Sequence, residues 1–101
     1  MSGMKALRIA EDKELLVSAF LVLVNEKECS VFLDDLCTKN ELEILSQRLR
    51  VASMLVENET YNRIAEITGA STATISRVKR FLNGSGGYKM VLERLREKSD
   101  L

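Results

Sequence analysis

The chain has 101 residues, 46% of them hydrophobic and only 5% aromatic, with no proline and five glycines; this suffices for one small aliphatic core and points to an all-α fold. Histidine is absent, which removes the commonest general base and metal ligand at neutral pH, and neighbouring acids such as Asp34-Asp35 point to different faces of a helix, so neither an enzyme nor a cofactor is expected. The 15 basic and 15 acidic residues cancel, but unevenly: residues 1–66 hold 12 acids and 8 bases, whereas residues 67–92 hold no acid and four bases, Arg77, Lys79, Arg80 and Lys89.

In chain order, Glu11 to Asn25 is predicted as the first helix. Its apolar residues, Leu15, Leu16, Val17, Ala19, Phe20, Leu21, Val22, Leu23 and Val24, fall on nearly every side of a helical projection and must be covered all round. The apolar run is too short to span a bilayer, which takes about 20 residues. Acidic Glu11, Asp12 and Glu14 precede it and no cleavage pattern follows, so a signal peptide does not fit and a cytoplasmic location is expected. Burial against a second subunit in an intertwined homodimer is the economical way to cover such a helix; the alternative is the central helix of a monomer. Cys29 and Cys37 are too far apart for a CxxC pair or a zinc half-site, and are read as reduced thiols.

A second helix is predicted over Ser30 to Leu36. Thr38-Lys39-Asn40-Glu41 then has the T-x-x-E form of a capping box and opens a long third helix to about Glu57. That helix carries one apolar row at Leu42, Leu45, Leu49, Ala52 and Val56 and another at Ile44, Val51 and Leu55, which predicts two buried faces. Thr60 is placed to cap a fourth helix, Tyr61 to Thr68, which Gly69 ends. Ser71 or Thr72 caps a fifth, running to Leu82. After the Asn83 to Gly87 joint a sixth, Tyr88 to about Lys98, is predicted to bury Val91, Leu92 and Leu95.

The fourth and fifth helices carry the functional signal. A helix-turn-helix needs a small residue where its helices meet, a turn residue tolerant of positive φ, and branched apolar residues wedging the second helix on the first. Ala65, Gly69 and Ile75 meet these needs in an A-x3-G-x5-I pattern, with Ile64 and Val78 completing the inner faces, and the motif is placed at residues 61–80 of a single domain spanning residues 1–101. A merely structural αα-hairpin reproduces the same spacing. If the motif reads double-stranded DNA, the N-terminal turn of the second helix enters the major groove and sets Ser71, Thr72, Ala73 and Thr74 near base edges, with Asn62 on the preceding helix as the one amide reader and Ser76 a further DNA-binding residue. Arg77, Lys79 and Arg80 would neutralise phosphates and make binding salt-dependent. The alternative is a protein-interaction module without DNA specificity.

The stretch from Phe32 to Leu95 resembles the tryptophan repressor superfamily, specifically its YerC/YecD branch, through Leu36-Cys37-Thr38, Gln47-Arg48-Leu49-Arg50-Val51 and, above all, Gly69-Ala70-Ser71-Thr72-Ala73-Thr74-Ile75-Ser76-Arg77. The resemblance implies six helices per subunit, an interlocked homodimer, and two reading heads about 34 Å apart on successive major grooves. A transcriptional regulator is expected, and a repressor, because a bare DNA-binding dimer offers no segment with which to recruit polymerase. The resemblance further implies an effector pocket: the family's founding member holds tryptophan between two arginines that match Arg48 and Arg77, with Thr38 near the amino-acid head group. Arg48 could hold an anion, or lay its stem on the Ile44, Val51, Leu55 row and keep its head in water. Val78 stands where the tryptophan-binding member has a glycine, and Phe81 replaces a small polar residue, so tryptophan is not expected to bind.

Overall fold

The computed structural model describes residues 2–99. Among them are six α-helices and no strand: α1 (Ser2–Leu21), α2 (Glu26–Leu36), α3 (Lys39–Val56), α4 (Tyr61–Thr68), α5 (Thr72–Leu82) and α6 (Gly87–Ser99). The chain divides after Lys39 into two compact units.

In the first unit, the first two helices depart from the predicted boundaries. α1 begins well before Glu11, because Met4 to Ala10 contains neither proline nor glycine and consists mostly of good helix formers. It stops at Leu21 rather than Asn25, and α2 starts at Glu26 rather than Ser30. The physical reason is Asn25. Its side chain accepts a hydrogen bond from the Glu28 N–H at 2.9 Å, while the Glu28 carboxylate accepts one from the Val24 N–H at 3.0 Å. This reciprocal cap outcompetes continuation of the apolar run. Phe20 and Phe32 meet edge to face, centroids 5.4 Å apart, and close the hairpin. The apolar residues of α1 nevertheless stay open within one chain: Leu15 is 71% and Leu21 79% exposed.

The second unit holds every fully buried side chain among the described residues. Its core consists of Val51 and Ala52 from α3, Ile64 from α4, Ala70 from the turn, and Ile75, Val78 and Leu82 from α5, with Met54, Leu55, Tyr61, Ala65, Tyr88 and Leu92 packed around them. Burial on α3 therefore follows neither predicted row along its whole length. The core gathers at the C-terminal half of the helix, around Val51, Ala52 and Leu55, while Ile44 of one row and Leu45 and Leu49 of the other remain exposed. On α6, Leu92 packs on the core as expected, but Val91 and Leu95 stay exposed.

α3 ends in a Schellman motif: the Asn58 N–H donates to Leu55 O and the Glu59 N–H to Met54 O, each at 3.0 Å, with Asn58 in the left-handed region at φ 63°. Thr60 caps α4, its hydroxyl accepting from the Arg63 N–H at 3.2 Å.

Candidate nucleic-acid interface

α4, a short turn and α5 form the best-specified part of the second unit. At the end of α4, Gly69 takes φ 74° and its N–H donates to Ala65 O at 2.9 Å. The Thr68 hydroxyl donates to Ile64 O at 2.7 Å and accepts from the Ala70 N–H at 3.1 Å. α3 locks this turn from the side, through Gln47 Nε2 donating to Thr68 O at 3.1 Å. Of the two candidate caps for α5, Ser71 is the one used: its hydroxyl accepts from the Thr74 N–H and also bonds the Thr74 hydroxyl, both at 3.1 Å.

α5 has two contrasting faces. Ile75, Val78 and Leu82, at i, i+3 and i+7, are buried against the core. At about 100° per residue, Lys79, Thr72, Ser76, Arg80, Ala73 and Arg77 share the opposite arc of about 160°, and all six are exposed. Two expected base-edge residues sit differently. Ser71 caps the helix, and Thr74 is half-buried toward a groove beside the core rather than on the open arc. Asn62 is exposed on the first turn of α4.

The cations are held as well as displayed. Lys79 and Arg80 occupy the last turn of α5, where they offset the negative end of the helix dipole. The Lys79 ammonium lies 5.7 Å from the centre of the Tyr61 ring and the Arg80 guanidinium 5.7 Å from that of Phe81, both within cation–π range. Arg63 is engaged differently, in an exposed 3.7 Å ion pair with Glu66 on its own helix. Sequence reading missed the roles of Tyr61 and Gln47, because each acts on a residue of another helix, beyond the reach of helical periodicity.

An open groove of about 660 Å³ runs between α3 and α5, lined among others by Ile44, Gln47, Arg48, Arg77, Arg80 and Phe81. It brings together Arg48 and Arg77, as the resemblance implies, and adds Arg80 as a third guanidinium, with no carboxylate among the described residues of its lining. Val78, 2% exposed, forms part of the floor, and Phe81, 59% exposed, flanks the opening without sealing it. Thr38 precedes α3 in the first unit.

The family model described as Trp repressor protein matches residues 11–96. The chain belongs to the Trp repressor family. Among its relatives, the chain is 56% identical over 88 residues to the uncharacterized protein YerC of Bacillus subtilis (strain 168), covering 84% of this chain and 85% of that protein. Two solved structures share the family fold. A TrpR-like protein from Eubacterium eligens ATCC 27750 is 55% identical and superposes with a TM-score of 0.80, over 84% of this chain and 89% of that one. A candidate Trp repressor from Staphylococcus aureus is 51% identical, with a TM-score of 0.80 over 92% of this chain and 93% of that one. The all-α, six-helix, Trp-repressor-like fold expected from the sequence is thus the fold of the family. No helix among the described residues is long and apolar enough to cross a membrane.

Proposed function

We propose that this Trp repressor family member is a sequence-specific, double-stranded-DNA-binding transcriptional regulator, a repressor working as a homodimer in the cytoplasm, and not a catalyst. The observation that carries this reading is the open face of α5. It offers small side chains at its N-terminal end, Thr72, Ala73 and Ser76, and cations at its C-terminal end, Arg77, Lys79 and Arg80, on a helix pinned to the core by Ile75, Val78 and Leu82. A rigid helix of this kind meets what a major-groove reader requires: close approach at one end and phosphate neutralisation at the other. Family membership supports the same reading, as does the likeness to proteins described as TrpR-like and as a candidate Trp repressor.

The homodimer rests on the apolar surface that one chain leaves uncovered, including Leu15, Leu21, Val22 and Val24 at the end of α1 and after it, each more than 70% exposed. A second copy is the economical cover, and two-fold symmetry would present two α5 helices to successive major grooves.

The arginine-lined groove is the proposed effector site, holding Arg48, Arg77 and Val78; the family resemblance alone adds Thr38. Tryptophan is not its proposed ligand: Val78 adds branched bulk to the floor and Phe81 an aromatic ring at the edge. Selection of bound sites from random duplex DNA, repeated across a salt series, tests the main reading. The expected result is an enriched two-fold-symmetric motif; recovery of no motif would remove sequence specificity and leave nonspecific or protein binding.

A further inference from the structure

We infer that Tyr61 is a positioning residue for phosphate binding, acting through Lys79. This rests on the DNA-binding reading above. Lys79 lies at the margin of the exposed arc of α5, and a free lysine side chain there would sample many rotamers, losing rotamer entropy whenever it met a phosphate. Its ammonium instead lies over the Tyr61 ring, 5.7 Å from the centroid. Tyr61 is itself held in place: it is the first residue of α4, behind the Thr60 cap, and it packs half-buried against the core cluster. The ring therefore links the start of α4 to the last turn of α5. It keeps a cation at one place on the reading face without neutralising it, which an acidic partner would do. The absence of any acid from residues 67–92 suits the same design, because no carboxylate of that segment competes for Lys79.

The test is a double-mutant cycle on duplex DNA binding, using Tyr61→Leu, Lys79→Ala and the pair, with Tyr61→Phe as the conservative variant. An exposed cation–π contact in each subunit of the homodimer predicts that Tyr61→Leu weakens binding about five- to thirtyfold and that Tyr61→Phe, which keeps the ring, leaves it unchanged. Lys79→Ala should lower the slope of log K against log salt by about two, one for each subunit of the bound homodimer, and in that background Tyr61→Leu should cost nothing more. Equal losses from Tyr61→Leu in both backgrounds would overturn the inference, since a ring that merely packs the core acts whether or not Lys79 is present. An unchanged salt slope in Lys79→Ala, with wild type still bound, would overturn it and leave the DNA-binding reading standing. Failure of the wild-type protein to bind any duplex would sink both. In the free wild-type protein, the Lys79 side-chain methylene protons should show an upfield ring-current shift in NMR spectra. Its absence refutes the contact even if Tyr61→Leu does not fold.

Discussion

Replacing Gly69 by alanine isolates the backbone cost of the turn between α4 and α5. Gly69 has φ 74°, and a Cβ built on it meets nothing within 4 Å. Steric clash with the rest of the protein is therefore absent, and the substitution costs only what it takes to place an L-residue in the left-handed region, about 1–2 kcal/mol. Alanine also restricts the unfolded chain, which offsets about 0.4–1 kcal/mol of this, so the expected net loss is at the low end, about 1 kcal/mol. Gly69→Asn should lose less than Gly69→Ala, because asparagine tolerates this region better than alanine. Urea denaturation at fixed protein concentration reads the difference as a shift in midpoint with the slope unchanged. No loss for Gly69→Ala would refute the left-handed assignment. A loss above about 3 kcal/mol would refute the open space around the missing Cβ, because cavity and clash effects are the usual source of losses that large.

Other substitutions probe the core, the end of α3, the reading face and the groove. Ile75→Ala removes a side chain with no exposed surface from the centre of the core, and should cost about 2–5 kcal/mol in chemical denaturation. Asn58→Gly should stabilise by a few tenths of a kcal/mol up to about 1 kcal/mol, since Asn58 holds φ 63° at the left-handed position of the Schellman motif; a destabilised variant in a thermal melt would count against that strain. Replacing Arg77, Lys79 and Arg80 together by alanine should leave the helical circular dichroism intact, because all three are exposed, and reduce the salt slope of DNA binding by about five, three contacts being lost from each subunit of the homodimer. Titration calorimetry should detect no tryptophan binding; a complex with one tryptophan per subunit in the micromolar range would show that Val78 and Phe81 leave the indole room.

Much of the second unit was legible because its signals are local. Thr60 and Ser71 each accept from an N–H three residues ahead, and Gly69 donates to a carbonyl four residues back. Interactions of that span are visible in sequence as a cap, a period or a break. The start of α2 has a local signal too, with Asn25 and Glu28 in N-x-x-E register, yet the apolar run from Phe20 to Val24 masks it by extending the pattern of α1. Helical periodicity cannot register a break inside an apolar stretch, because hydrophobicity alone carries no information about backbone direction.

By itself, the sequence determined the helical class, the limits of α4 and α5, the left-handed turn at Gly69, and a basic, acid-free segment on the second of those helices. All of these depend on residues within about one or two helical turns of each other. Only the tertiary structure decided which side chains meet across helices. It set Lys79 over Tyr61, tied Gln47 to the Thr68 carbonyl, and gathered Arg48, Arg77 and Arg80 around one groove. It also turned Thr74 away from the open face, where its position in the first turn of α5 suggests a base contact, and left Phe81 at the edge of the groove. The physical reason is that such contacts depend on how α3, α4 and α5 pack around Val51, Ile64 and Ile75, and helix packing is set by the shapes of complete surfaces rather than by the period of any one helix.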